Sequence, residues 1–268
     1  MNDNIFECNL RAPYSLKSDL FSLELPIYAI SSKSREPVEL KYKDTFVRIT
    51  PSHIGRATVK DKEIVIYCLS QLMVQLNSKL QPGEIASVCT FDFLKTTGRG
   101  ASGRAYQDFN LALERLKGTI IQTNRTINGK PIDQISGIIE SYKISESKSR
   151  RVEIKLADWI IQSALENKIL TLDPSYFGIK RSFDKRVYEV CRKLCGKYHT
   201  LSIRLENFHT LVTGTGTAAK FKRDLTLLIS RGKMLGYRVK LKDQMVRIYK
   251  DTPEGKKFLT KDMLAGIV

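Results

Sequence analysis

Between residues 61 and 77 the apolar positions Ile64, Val65, Cys68, Leu69, Leu72, Met73 and Leu76 recur at steps of three and four. That is the period of a helix with one buried face. Asp61 stands where an N-cap would, and the stretch KEIVIYCLSQLMVQLNSKL ends before Pro82-Gly83. The same period runs through Ser102–Lys117 (Ala105, Phe109, Ala112, Leu113, Leu116) and Phe183–Tyr198 (Val187, Val190, Cys191, Leu194). It returns in Thr217–Lys233 with Phe221, Leu225, Leu228 and Ile229. A shorter helix is expected over Asp158–Glu166. Alternating or β-branched runs at Pro26–Ser31, Glu39–Lys43, Thr45–Thr50, Ser87–Thr90, Ile169–Leu172 and Ser202–Arg204 predict strands. Asn128-Gly129 between Ile120–Ile127 and Ile135–Ile144 predicts a hairpin. Tyr237–Leu241 and Met245–Tyr249 predict a second one across Lys242-Asp243.

Two stretches share one plan. Ala86–Ile127 and Leu201–Lys250 each run through a short strand, a small helix containing Phe, a Thr-Gly turn, a longer amphipathic helix and a hairpin. The small helices are Asp92–Thr96 and Glu206–Leu211, and the turns are Gly98–Gly100 and Gly214–Gly216. This order is that of a helix-turn-helix with a strand pair attached, a winged helix. The expected fold is α+β, two tandem winged-helix domains related by an internal pseudo-repeat. The polar run Ser145–Arg150 marks a seam that divides the chain into 1–150 and 151–268, or else a hairpin turn leading into Val152–Leu156. Residues 1–16 read as a leader, and 251–268 as a polar tail with one helical stretch.

Charge turns this fold toward a class of partner. The formal charge is +17, and residues 184–250 carry 16 Lys and Arg against 5 Asp and Glu. A basic block of this kind is the electrostatic footprint of a polyanion, most often nucleic acid. At 268 residues and 42% hydrophobic, the chain has enough apolar material for two cores. No signal-peptide pattern precedes it, the apolar run Ile64–Leu76 is too short to span a bilayer, and five Cys lack paired metal or disulfide spacing. A cytoplasmic protein without membrane contact is the expectation.

The candidate contacts follow from the motif, because the second helix of a helix-turn-helix enters the major groove. In the C-terminal copy it offers Lys220, Lys222 and Arg223, suited to guanine edges or phosphate. The wing offers Arg238, Lys240, Lys242 and Arg247, which alternate with apolar positions and so share one strand face. Wing cations more often meet phosphate than bases. In the N-terminal copy Arg99, Ser102, Arg104 and Gln107 cluster at the start of the long helix. The run GRGASGR has neither Gly-Lys-Ser/Thr nor dinucleotide-fingerprint spacing, so it is not a nucleotide loop. His53, His199 and His209 form no metal pattern, and no catalytic cluster assembles. Cys191 and Cys195 suit core packing on a mostly apolar face, as does Trp159. No cofactor and no enzymatic activity are expected.

With these motifs in view the chain resembles the replication initiator protein A family of bacterial plasmids, within the wider class of tandem winged-helix initiators. The blocks DKEIVIYCLSQLMVQLN (61–77), RGASGRAYQDFNLALERLKGTIIQTN (99–124) and LADWIIQSALENKILTLDPSYFGIKRSFDKRVYEVCRKLCGK (156–197) carry the match. With the lead-in ITPSHIGRATVKD they cover most of residues 45–200. The resemblance implies a bacterial protein that binds repeated duplex DNA at a plasmid origin, helps open it and recruits the host replicative helicase or its loader and initiator. It implies main binding by the C-terminal winged helix, with the N-terminal one in auxiliary contact or dimerisation. It further implies a monomer–dimer equilibrium in which dimers repress the protein's own promoter. A winged-helix transcriptional regulator without initiator activity is the alternative reading.

Overall fold

The computed structural model describes residues 5–8, 15–78, 83–127, 130–131, 137–145, 150–232 and 234–268. In chain order it begins with β1 (Ile5–Cys8), β2 (Lys17–Asp19), α1 (Leu20–Glu24), β3 (Val38–Tyr42), β4 (Thr45–Thr50) and α2 (Lys62–Asn77). There follow β5 (Ile85–Cys89), α3 (Thr90–Thr96), α4 (Gly103–Gly118), β6 (Ile120–Thr123), β7 (Thr126–Ile127) and β8 (Lys130–Pro131). Next come β9 (Ile139–Ile144), β10 (Arg151–Leu156), α5 (Asp158–Leu165), β11 (Ile169–Thr171) and a 3-10 turn, Pro174–Gly178. The last stretch holds α6 (Ser182–Cys195), β12 (Thr200–Arg204), α7 (Leu205–Val212), α8 (Ala218–Ser230), β13 (Tyr237–Lys242), β14 (Met245–Lys250) and α9 (Pro253–Leu264). No helix among the described residues is long and apolar enough to cross a membrane.

Two compact units result: Met1–Leu20 with Ile27–Gly178, and Phe21–Pro26 with Ile179–Val268. The boundary expected between residues 150 and 151 falls instead between Gly178 and Ile179. The reason is β10, an inner strand of the first unit's sheet, whose order is β1-β5-β10-β9. It buries Val152, Ile154 and Leu156 and pairs on both edges, so cutting before it would break two ladders. Of the two readings of residues 145–150, the antiparallel pairing of β9 with β10 on either side agrees with the hairpin, and the Ser145 N–H donates to Arg151 O at 2.8 Å. Residues 146–149 lie outside the described residues.

The first hairpin is also drawn differently. Among the described residues, Ile120–Ile127 does not pair with Ile135–Ile144: β6 joins β4, with Val47 opposite Thr123, and β9 joins β10. β7 and β8 pair on either side of residues 128–129, which lie outside the described residues. An Asn-Gly turn fixes the few residues beside it, whereas the partner of a longer strand is set by what its inward face buries. Here Ile121 and Thr123 go inward beside β4. Pro26–Ser31 forms no strand and makes only the bridge Ala29 to Thr58.

Around α2, buried charges join elements that the apolar pattern alone leaves separate. Asp61 does not cap the helix, since its own φ and ψ of −67° and −33° are already helical. Its carboxylate instead accepts the Thr58 N–H at 2.8 Å and the Arg115 fork at 2.7 and 2.9 Å, which ties α4 to the loop before α2. The Asp61 hydrogen bond raises the Arg115 pKa against the opposing effect of burial, keeping the guanidinium charged. Asp61→Ala should lower the stability of the first unit by about 2–3 kcal/mol, because it leaves a half-buried guanidinium unpaired. Urea unfolding followed by Trp159 fluorescence measures this, and an unchanged midpoint would remove the tie.

The second unit is a three-stranded sheet, β12-β14-β13, carrying α6, α7 and α8. Phe208, Phe221, Leu225, Val246 and Ile248 are in its core. Arg186 of α6 is almost wholly buried and gathers a distant segment. It donates to the carbonyls of Ser22 (2.8 Å), Leu23 (3.1 Å), Glu24 (3.2 Å) and Leu211 (2.7 Å) and pairs with Glu189 at 2.9 Å. This is why residues 21–26 belong to the second unit. The tail expected to hold a helical stretch holds α9, which packs on β14 and whose Asp262 accepts the Tyr249 hydroxyl at 2.6 Å.

Candidate nucleic-acid interface

Each unit contains the strand, two helices and strand pair of a winged helix. β5, α3, α4, β9 and β10 correspond in order to β12, α7, α8, β13 and β14. In both, the last strand lies between the first and the hairpin partner. The turns between the helices agree in detail. Thr97-Gly98-Arg99-Gly100 and Thr213-Gly214-Thr215-Gly216 place both glycines at positive φ, 66° and 66° in one copy and 66° and 91° in the other. A side chain at those positions would be strained, so the turn requires Gly. The Thr hydroxyls donate back to Phe93 O (2.8 Å) and His209 O (3.2 Å). Ser102 and Thr217 then cap the long helices by accepting the N–H groups of Ala105 and Lys220. Phe93 packs on Phe109 at 5.2 Å, and His209 stacks on Phe221 at 4.6 Å.

Matching the buried Phe109, Leu113 and Leu116 of α4 to Phe221, Leu225 and Leu228 of α8 compares the outward faces position by position. Asp108, Asn110 and Leu111 then stand where the second copy has Lys220, Lys222 and Arg223. Lys220, Lys222 and Arg223 are all exposed, and Arg223 lies 3.7 Å from its neighbour Asp224. At these three positions the first copy carries one negative charge and the second three positive ones, and the second copy adds Arg238, Lys240, Lys242 and Arg247 on its strand pair.

The wing cations share the outer face of β13 and β14, with Lys240 opposite Arg247. Lys240 is half-exposed. Lys242 Nζ donates to Gly266 O at 2.5 Å and Arg247 Nη1 to Ile267 O at 2.9 Å, while Arg238 sits 3.7 Å from Asp251. The segment after α9 therefore shares this face, a neighbour that strand alternation does not reveal.

In the first unit Arg104 and Gln107 are exposed on α4, Arg104 paired with Asp108 at 3.2 Å. Ser102 serves as the cap. Arg99 is engaged within the fold. Its guanidinium donates to Glu63 at 3.1 and 2.5 Å and to Lys60 O, and it lies 5.2 Å from the Phe93 ring centre. It fastens the turn to the start of α2. Sequence reasoning missed Arg150, which sits 5.0 Å from the Tyr106 ring centre. Its only signal was position, at the end of a polar run that reads equally as a seam.

The remaining candidates are structural. Trp159 is buried and donates Nε1–H to Gly137 O at 3.3 Å. Cys191 and Cys195 lie in the core, and burial pushes both thiols up, Cys195 to about 11. At neutral pH they are thiols that pack, not nucleophiles.

Comparison with known proteins decides the family. The family profile of Replication initiator protein A matches residues 17–239. The chain belongs to that family. A relative in Wigglesworthia glossinidia brevipalpis, named "Putative replication protein", is 31% identical over 244 residues, covering 88% of this chain and 87% of its own length. Among solved structures, domains 2 and 3 of RctB match with a TM-score of 0.63 at 14% identity, over 88% of this chain and 99% of that one. The Pi initiator protein, solved in complex with iteron DNA, matches with a TM-score of 0.51 at 15% identity, over 79% of this chain and 99% of that one. At such identities the likeness concerns the fold, and the fold of this initiator is the tandem winged helix. The family match ends within β13, so β14 and α9 lie beyond it.

Proposed function

We propose that this initiator binds repeated duplex DNA at a plasmid origin, with α8 of the second unit in the major groove and its wing on the flanking backbone. The exposed cations Lys220, Lys222 and Arg223 on a capped helix carry this reading. Family membership and the iteron complex of the Pi protein support it. Lys240 reaches phosphate directly, Arg238 by leaving Asp251, and Lys242 and Arg247 by exchanging the carbonyls of Gly266 and Ile267 for phosphate oxygens. The first unit, less charged on α4, adds an auxiliary contact through Arg104 and Gln107, or pairs with a second copy. Two modules on one chain gain affinity from effective concentration, by roughly 10²–10⁴. Opening of the origin, recruitment of the host helicase or its loader and initiator, and repression of the protein's own promoter as a dimer complete the proposal.

Footprinting the protein on the DNA that flanks its gene tests it, with protected direct repeats as the expected result. A plasmid carrying only this gene and those repeats should replicate; a transcriptional regulator would protect its promoter without supporting replication. Side-chain roles separate by salt and sequence. Arg223→Ala is expected to cost about 1–3 kcal/mol of binding and to relax preference at one base pair. Lys242→Ala is expected to weaken all sequences alike and to lower the salt slope by about one. Parent-like affinity in both variants would remove these assignments.

A further inference from the structure

In the first unit a half-enclosed cleft of about 380 Å³ opens between α4 and the β9–β10 wing, lined among others by Thr90, Tyr106, Asn110, Ile144 and Arg150. Its size is within the range of clefts that take small ligands, roughly 300–1,000 Å³. Its chemistry is unlike that of a duplex-backbone contact. The Arg150 guanidinium carbon lies 5.0 Å from the Tyr106 ring centre, so a cation and an aromatic ring form one layered wall. Arg150 is exposed, and its backbone is held in place. Its φ is +42°, and its carbonyl accepts both the N–H (3.4 Å) and the hydroxyl (3.0 Å) of Thr90. Ile144, 44% exposed, supplies an apolar surface, and the exposed Asn110 amide offers a paired donor and acceptor.

Those groups match the parts of one nucleotide. A planar guanidinium and a phenol ring stack a base, an amide reads a base edge in two hydrogen bonds, and an arginine fork binds a phosphate oxygen. In a paired duplex the base faces are covered by their neighbours, so only an unstacked base can use the cleft. We propose that this cleft binds a single unpaired nucleotide, stacked against Arg150 and Tyr106 and read by Asn110. The position deepens the proposed function, on which it rests: Asn110 belongs to α4 itself, on the same helix as Arg104 and Gln107. A module less charged than its partner thereby gains a use that charge does not measure, holding a base that has left the helix.

Fluorescence anisotropy with two labelled hairpins of one sequence tests this, one fully paired and one with a single extrahelical 2-aminopurine. The full-length protein should bind the bulged hairpin at least about tenfold more tightly, the least that stacking one base contributes with a base-edge contact added. The 2-aminopurine fluorescence should change on binding. Asn110→Leu, an exposed position whose substitution leaves the core intact, should bring the affinity ratio down several-fold. Arg150→Ala should bring it close to one. Equal affinity of the parent protein for both hairpins would overturn the cleft while leaving duplex binding standing. Failure to bind either hairpin would overturn both. A fluorescence change that Asn110→Leu and Arg150→Ala leave intact would place the base elsewhere and overturn the assignment.

Discussion

Raising salt from about 50 to about 200 mM is expected to lower the affinity of this initiator for duplex DNA by roughly three orders of magnitude. Lys220, Lys222 and Arg223 on α8, with Arg238, Lys240, Lys242 and Arg247 on the wing, supply the cations. If about six of them each neutralise one phosphate, the log–log slope is roughly −5, because each contact releases close to one condensed counterion. Replacing Lys220, Lys222 and Arg223 together by Ala should reduce the slope by about three. Anisotropy titrations at four or five salt concentrations give both numbers. A flat response would mean that these side chains do not meet the backbone. A slope shallower than expected by about two would mean that Lys242 and Arg247 keep the contacts to Gly266 and Ile267 that they make in the free protein.

The largest effect on stability is expected from Arg186→Ala, which should cost the second unit about 3–5 kcal/mol. A typical domain has only about 5–15 kcal/mol in total, so the unit would be marginal at 37 °C. The substitution removes the buried ion pair that Arg186 makes with Glu189 and the donor from four carbonyls, three of them in residues 22–24. The double variant Arg186→Met/Glu189→Met separates these causes. Were the ion pair the whole effect, two apolar residues would restore most of the loss. Since the carbonyls still lose their donor, the double variant should remain destabilised, and proteolysis should cut near residues 21–26. The single Trp, Trp159, belongs to the first unit. Its fluorescence should therefore keep its urea midpoint while the circular dichroism transition moves to lower urea. A circular dichroism midpoint equal to the parent's would show that Arg186 is not the anchor.

Much of the winged-helix plan is legible in the sequence because it is written in local signals. The 3.6-residue periods of α2, α4, α6 and α8, and the two Thr-Gly-x-Gly turns, each depend on residues close in sequence. The exposure of Lys220, Lys222 and Arg223 is legible for the same reason: outward positions on a helix follow from its inward ones. The pairing of β6 with β4 is not, since an isolated strand carries no mark of its neighbour. The seam falls elsewhere than expected because a polar hairpin turn and a polar linker have the same composition. Arg99 looks like a basic residue in a glycine-rich loop, and Glu63, 36 positions away, claims it.

Local signals suffice to specify a repeated winged helix with most of its excess charge on the second copy. Periodicity, turn chemistry and charge are properties of short segments and survive without a partner. Long-range packing sets where one unit ends, that residues 21–26 belong to the second, and which cations are committed inside the molecule. It also brought Arg150 against Tyr106 and so formed a cleft between a helix and a wing. Those outcomes depend on long-range pairing, where burial chooses among partners that local sequence leaves equivalent.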